Sequence, residues 1–127
     1  MFRSILFVLL LSLLVSAALT SASATTEGKE QSLNGEAVYY ANRYRGRTMA
    51  CGGRYYPKRM VAAHRTLPCG TRLRVRSRVT GEQVIVKVMD RGPFGDNSTI
   101  LDLSRRAARR LGYIAAGRAP VRATILN

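Results

Sequence analysis

A predicted β-hairpin in the middle of the chain constrains its fold more than any other feature. Residues 72–78 (RLRVRSR) place leucine and valine on one face and arginines on the other, the period-two pattern of a half-exposed strand. Residues 83–89 (QVIVKVM) are apolar on both faces except at Lys87, as expected for a more central strand. Residues 79–82 (VTGE) supply a tight turn whose glycine tolerates a positive φ.

A histidine and a carboxylate flank this hairpin. His64 is the only histidine of the chain, and Asp90 follows the second predicted strand. Each lies at the edge of a strand, so folding can bring them into one cleft, where they would form a general acid–base pair. Two plainer interpretations stay open: Asp90 forms an Asx-type turn with an ion pair to Arg91, and His64 only hydrogen-bonds a loop backbone.

The other segments predict further strands and one helix. Residues 35–40 and 119–126 have the composition of strands, residues 60–63 form a strand or a helical turn, and residues 41–57 form a long loop. A short helix begins after the N-cap Ser104 and ends at Gly112, with its inner face formed by alanine and leucine. Several short strands, long loops and one small helix indicate a compact β-barrel.

The N-terminal residues resemble a secretory signal. Residues 1–24 combine a short positive start, an apolar run and small residues ending at Ala24, where cleavage is expected. The apolar run is short for a membrane span, so we expect no stable membrane anchor and a secreted or periplasmic protein. Residues 25–34 are predicted to be a disordered leader, and residues 35–127 a single domain.

The two cysteines predict a disulfide. Cys51 and Cys69 form an even pair in a chain expected to enter an oxidising compartment. Such a bond would contribute about 3 kcal/mol to the free energy of unfolding. Two cysteines and one histidine fall short of the usual four zinc ligands, so we predict no metal site and no cofactor.

The formal net charge of +14 favours an anionic polymer as partner. Export, and the lack of any helix-turn-helix, zinc-finger or RNA-binding signature, argue against nucleic acid. Acidic polymers of the cell envelope fit better. Four arginines crowd the outer face of the predicted helix, where they either form a solvated surface or meet an anion: Arg105, Arg106, Arg109 and Arg110.

Three ordered motifs resemble the rare lipoprotein A family. They are residues 62–71 (AAHRTLPCGT), 90–94 (DRGPF) and 100–104 (ILDLS), and the resemblance covers residues 35–126. It implies an all-β fold, a six-stranded double-psi β-barrel with one or two short helices, related to expansins and barwin. Characterised members of the family are lytic transglycosylases, which cut the glycan strands of peptidoglycan.

The resemblance also assigns roles to residues. Asp90 and His64 match the catalytic aspartate and histidine of the family, whereas Arg91, Arg65 and Phe94 are predicted to bind the substrate. A lytic transglycosylase protonates the glycosidic oxygen between N-acetylmuramic acid and N-acetylglucosamine, and one carboxyl group can give that proton and later accept one. Its pKa must be raised by burial or by a neighbouring negative charge.

The chain departs from the family pattern at Gly53, where many members carry an acidic residue. Glu36 or Asp96 could supply the carboxylate that is missing at this position. Asp102 is expected to have a structural role, in which it ties the end of a strand to the start of the helix. The departure keeps open a non-catalytic, expansin-like module that binds cell-wall glycans. A basic defence protein of barwin type is the weaker alternative, because the apolar face of the helix is built mostly of alanine.

Overall fold

The computed structural model describes residue 18 and residues 28–127. The predicted signal sequence, residues 1–24, therefore lies outside the described residues apart from one position. None of the helices that the described residues form is long and apolar enough to cross a membrane.

Six strands close into a barrel. They are β1 Ser32–Tyr39, β2 Val61–Ala63, β3 Arg72–Ser77, β4 Gln83–Asp90, β5 Thr99–Leu103 and β6 Ala119–Ile125. Around the barrel the order is β1-β5-β2-β4-β3-β6, with β1/β5 and β2/β4 parallel and the other pairs antiparallel. The helix α1 spans Arg105–Leu111, and a 3-10 helix spans Asn42–Tyr44. The predicted all-β, six-stranded barrel with short helices is confirmed.

Alternate residues of the strands fill the barrel. Leu73 and Val75 of β3 are fully buried in the same apolar core as Val86 and Val88 of β4. The expectation that β4 is covered on both faces is wrong, because Ile85 is 47% exposed. A closed barrel has one interior face, so the outward residues of β4 meet solvent.

Strand β1 begins earlier than the sequence predicts. Ser32 pairs with Thr124 of β6 and Leu33 pairs with Ala123, so residues 32–34 belong to the sheet. The predicted disordered leader, residues 25–34, is wrong for these three residues. Their strand conformation comes from pairing with a strand at the other end of the chain, which local composition does not reveal.

Helix α1 has the predicted ends and inner face. The Ser104 hydroxyl oxygen accepts a hydrogen bond from the amide of Ala107, and Gly112 ends the helix in the left-handed conformation with φ of 84°. Ala107, Ala108 and Leu111 are fully buried against the barrel. The arginines between them are thereby directed away from the core.

A second apolar cluster lies outside the barrel, where the long loop of residues 41–60 folds over β2. We call it the loop cluster; its buried members are Tyr40, Met49, Tyr55, Val61 and Ala63. The rings of Tyr40 and Tyr55 stack with their centroids 4.3 Å apart. The predicted disulfide between Cys51 and Cys69 is present and joins this loop to the chain segment before β3.

Candidate active site

Parallel strand pairing brings His64 and Asp90 together. Because β2 and β4 run parallel, their C-terminal ends meet at one edge of the barrel, and Ala63 is the register partner of Asp90. His64 follows directly, and its amide donates a hydrogen bond to the Asp90 carbonyl oxygen at 3.1 Å. The two residues thus share one edge of the sheet, as their positions in the sequence suggest.

Three donors converge on the Asp90 carboxyl group. Its Oδ1 accepts from the amides of Ala50, at 2.8 Å, and Arg91, at 2.9 Å. Its Oδ2 accepts from the Tyr40 hydroxyl at 2.6 Å. Burial, followed by the hydrogen bond to Asp90, raises the pKa of Tyr40, so the phenol remains a donor. The carboxyl group is therefore fixed in position at the strand end.

His64 is held in one tautomer. Its Nδ1 accepts hydrogen bonds from the amides of Thr66 and Leu67, at 3.1 and 3.0 Å, which leaves the proton on Nε2. Burial lowers the pKa of His64, and the charges of Arg65 and Arg91 lower it further. The imidazole is therefore neutral at neutral pH and presents an Nε2–H donor.

Arg91 and Arg65, the two arginines expected at the site, donate hydrogen bonds to the backbone of its loops. Arg91 donates from Nη1 to the carbonyl oxygens of His64 and Leu67, at 3.1 and 2.6 Å. Arg65 donates to the carbonyl oxygens of Pro93, Asp96 and Thr99. A guanidinium group has five N–H donors, so Nη1 of Arg65 and Nε of Arg91 are not used in these contacts.

Phe94 lies on the surface beside these loops and is 75% exposed. A single exposed aromatic side chain is ordinary on a protein surface. Here it ends the DRGPF motif four residues after Asp90, and the carbonyl oxygen of the preceding Pro93 accepts a hydrogen bond from Arg65. Its predicted contact with substrate stays a prediction.

The two carboxylates considered as substitutes for the absent acidic residue are engaged elsewhere. Glu36 forms an ion pair with Arg118. Asp96 accepts hydrogen bonds from Ser98 and Thr99, which, led by the Ser98 hydroxyl, lower its pKa to about 2. Gly53 itself has φ of 75°, a conformation in which an acidic side chain is strained.

Asp102 is the carboxyl group that the sequence did not single out for chemistry. It is the β5 register partner of Ala63, so β2 lies between Asp102 and Asp90, and strand spacing puts their Cα atoms about 10 Å apart. Its Oδ1 is buried without a hydrogen-bond partner among the described residues. Burial, followed by the charge of Asp90, raises the pKa of Asp102 to about 7.

The contact by which Asp102 was expected to tie β5 to α1 is not made in the described part of the chain. We expected its side chain to tie the end of β5 to the start of α1, but Ser104 caps the helix. No hydrogen bond joins the Asp102 side chain to that helix within residues 28–127. The signal that identifies Asp102 is its burial, which follows from long-range pairing of β5 with β1 and β2.

The disulfide supports the Asp90 environment. Cys51 follows Ala50, whose amide binds the Asp90 carboxyl group, and its own amide donates to the Met89 carbonyl oxygen at 2.9 Å. Its partner Cys69 precedes Gly70, whose amide donates to Val88 at 2.7 Å. The bond therefore clamps two loops onto the last residues of β4.

Comparison with known proteins gives a consistent assignment. A family model described as "Lytic transglycolase" matches residues 32–123. The chain is 46% identical over 98 residues to "Probable endolytic peptidoglycan transglycosylase RlpA" of Nostoc sp., across 76% of this chain and 26% of that protein. It is 43% identical over 88 residues to "Endolytic peptidoglycan transglycosylase RlpA" of Neisseria meningitidis serogroup A, across 69% of this chain and 36% of that protein. The chain thus spans well under half the length of these relatives.

A solved structure, apo-expansin of Clavibacter michiganensis, resembles the barrel with a TM-score of 0.61 and 30% sequence identity. The match covers 76% of this chain and 51% of that one. Together with the two parallel strand pairs of the closed barrel, it confirms the predicted double-psi β-barrel.

Proposed function

Because the chain belongs to the lytic transglycolase family, as the three motifs predicted, we propose that it is a peptidoglycan lytic transglycosylase. It cleaves the bond between N-acetylmuramic acid and N-acetylglucosamine in glycan strands and leaves 1,6-anhydro-muramyl ends. The observation that carries this proposal is the geometry of Asp90, whose carboxyl group is fixed by three donors and whose carbonyl oxygen accepts a hydrogen bond from the amide of His64.

In this proposal Asp90 is the general acid and then the general base. Asp90 reacts from its protonated form, in which the carboxyl group gives its proton to the glycosidic oxygen as the bond from that oxygen to C1 of the muramyl sugar breaks. The C6 hydroxyl oxygen of the same sugar bonds to C1, and its proton passes to Asp90. Water does not enter the products, and the carboxyl group returns to its starting state.

His64 and Phe94 take supporting roles in the proposal. The neutral His64 donates from Nε2 to a sugar oxygen, which orients the strand and stabilises charge that develops at the reacting centre. Phe94 offers its exposed ring to a sugar face. The donors of Arg65 and Arg91 that the loop contacts leave unused bind acetamido or carboxylate oxygens of the substrate.

Asp102 adds a second carboxyl group to the proposal. Asp90 and Asp102 flank Ala63 on neighbouring strands, and the pKa of about 7 leaves Asp102 protonated up to near neutrality. The pair then carries one negative charge fewer than two ionised carboxylates would. Asp102 thereby limits the negative charge next to the reacting glycosidic bond.

We further propose that the protein acts outside the cytoplasm, in a periplasm or after secretion. The disulfide and the substrate named in its relatives support this location, because disulfides persist in oxidising compartments. Cleavage near Ala24 is part of the same proposal.

A non-catalytic, expansin-like module is the second candidate. Gly53 favours it, since the acidic residue frequent in the family is absent there, and so does the structural likeness to expansin. The fixed Asp90 and the tautomer of His64 favour the enzyme.

Replacement of Asp90 tests the proposal. Purified protein is incubated with peptide-stripped glycan strands, and the products are identified by mass spectrometry. We expect Asp90→Asn to lower the rate of anhydro-muramyl product formation by about 10²–10⁴-fold, because it removes the general acid. Glu82→Gln is the matched control, since Glu82 is an exposed carboxylate on the β3–β4 turn, and it should leave the rate unchanged. Strand binding without product from the unsubstituted protein would instead support the expansin-like module.

A further inference from the structure

A strongly basic pocket lies between α1 and the loop that precedes β2. Its volume is about 650 Å³. Five of its seven lining side chains are basic and none is acidic: Arg45, Tyr56, Pro57, Lys58, Arg105, Arg106 and Arg109. We call it the cationic pocket. It contains three of the four helix arginines that crowd the outer face of α1.

The basic side chains of this pocket have no acidic partners. Within residues 28–127 the ion pairs are Arg74–Glu30 and Arg118–Glu36, both away from the pocket. Like charges at helical spacing, such as Arg105 and Arg109, repel each other. The arrangement therefore costs electrostatic free energy that a bound anion would offset.

The pocket is built rather than formed by loose surface side chains. The amide of Arg106 donates to the Pro57 carbonyl oxygen at 3.0 Å, and its Nη1 donates to that of Lys58 at 3.2 Å. The guanidinium group of Arg105 lies over the ring of Tyr39, 5.2 Å from its centroid. Its Nε is buried without a hydrogen-bond partner among the described residues.

The lining indicates an anionic sugar rather than a small inorganic ion. Guanidinium groups match the planar geometry of a carboxylate with paired N–H donors. Tyr56, which is 44% exposed, and Pro57 add an apolar wall of the kind that packs against a sugar ring. A small inorganic ion has no apolar surface that could pack against this wall.

A chain of contacts connects the cationic pocket to Asp90. The amide of Arg105 donates to the Tyr55 hydroxyl at 3.3 Å, Tyr55 stacks on Tyr40, and Tyr40 donates to Asp90. Two stacked tyrosine rings thus separate the pocket from the candidate catalytic carboxyl group.

We propose that the cationic pocket binds a carboxylate of the same glycan strand on which Asp90 acts. The inference rests on the proposed function, because it takes the glycan strand as the ligand. Two carboxylates of peptidoglycan have this chemistry: the lactyl carboxylate of a muramyl residue stripped of its peptide, and the carboxylates of a stem peptide. The pocket then sets which strands are bound, separately from the chemistry at Asp90.

Binding measurements in an Asp90→Asn background test the proposal without cleavage. The paired substitutions Arg45→Gln and Arg109→Gln remove two pocket charges, and Arg72→Gln with Arg110→Gln removes two exposed charges outside the pocket. None of these four side chains makes a hydrogen bond to another described residue. Thermal unfolding of each protein checks that the fold is retained.

The ligands are peptide-stripped strands, peptide-bearing strands, and stripped strands whose carboxylates have been amidated. We expect the pocket pair to weaken binding of stripped or peptide-bearing strands about tenfold more than the control pair, since it removes charge-assisted hydrogen bonds. Amidated strands should bind equally well to the protein with the two pocket substitutions and to the protein with the two control substitutions. Whether stripped or peptide-bearing strands show the larger difference identifies the carboxylate.

Two results would overturn the proposal. Equal weakening by both pairs would mean that only net charge matters, and an undiminished difference on amidated strands would exclude a carboxylate as the ligand. Cleavage by the unsubstituted protein is measured separately, so the two proposals can fail independently. If the protein does not cleave strands but shows the carboxylate-dependent difference in binding, the pocket proposal is supported and the transglycosylase proposal fails.

Discussion

At the scale of single residues, the site holds two carboxyl groups in contrasting environments. Asp90 accepts three hydrogen bonds at the end of β4, whereas Oδ1 of Asp102 has no partner among the described residues. Burial raises the pKa of Asp102 to about 7, and groups with such shifts are frequent at functional sites. The neutral His64, whose Nδ1 accepts hydrogen bonds from two backbone amides, adds an Nε2–H donor to the site.

The titration of His64 can be followed directly, because it is the only histidine of the chain. We expect its NMR midpoint to lie below the ordinary value of 6.5, since burial and two nearby arginines disfavour the charged form. The native state then binds fewer protons than the unfolded state, so stability falls as the pH drops below about 6.5. Nitrogen shifts should report the Nε2–H tautomer. A midpoint above 6.5 would contradict the arrangement described for His64.

Asp102 should give stability the opposite dependence on pH. Its pKa is raised to about 7, so between about pH 4 and pH 7 the native state binds more protons than the unfolded state. Stability therefore declines as the pH rises through this window, and Asp102→Asn should remove that decline. One pKa unit corresponds to about 1.4 kcal/mol, which gives an upper bound of about 4 kcal/mol that access of water to the group reduces. Urea unfolding at several pH values measures the effect.

Asp96→Asn is the control for this experiment. Hydrogen bonds led by that from the Ser98 hydroxyl lower the pKa of Asp96 to about 2, so its contribution to stability is lost only as the pH falls from about 4 to 2. The Asp96 variant should keep the decline between pH 4 and pH 7. A decline that persists in Asp102→Asn would show that Asp102 is not protonated in the native state.

At the scale of elements, the site depends on two parallel strands and a loop that closes over them. The C-terminal ends of β2 and β4 put His64 beside Asp90, which fixes their backbones. The side-chain environment comes from the long loop, through Tyr40 at its start and Ala50 at its middle. Loop placement is therefore as important to the site as the barrel.

Removal of the disulfide should lower both stability and activity. In the double variant Cys51→Ala with Cys69→Ala, we expect the free energy of unfolding to fall by about 3 kcal/mol, because a loop of 18 residues is no longer closed. The rate of strand cleavage should fall as well, because Ala50 is no longer clamped onto Asp90. Denaturant unfolding and product formation measure the two effects.

A reducing agent supplies the control for the disulfide. It should lower the stability of the unsubstituted protein to that of the double variant and leave the double variant unchanged. Full activity in the double variant would mean that the loop cluster alone holds Ala50 in place.

At the scale of the whole molecule, the sequence predicts features that local chemistry determines and misses those set by distant pairing. The caps Ser104 and Gly112 and the alternation in β3 are local, and the structure confirms them. The start of β1 at Ser32 and the exposure of Ile85 depend on barrel closure, so the sequence pattern did not predict them.

In the candidate site, too, the sequence predicts what local chemistry determines and misses what distant segments determine. The sequence placed His64 and Asp90 at strand ends, and the structure brings them together. The contacts of Tyr40 and Ala50 with Asp90, and the burial of Asp102, depend on how distant segments pack. The cationic pocket also joins two segments far apart in the chain, so the helix arginines alone left its role open.

The most direct test of a transglycosylase centred on Asp90 is the origin of the oxygen in its products. Peptide-stripped glycan strands are cleaved in water enriched in heavy oxygen, and the new ends are analysed by mass spectrometry. We predict 1,6-anhydro-muramyl ends without label, because the C6 hydroxyl group rather than water attacks C1. Labelled reducing ends would contradict this account and identify a hydrolase.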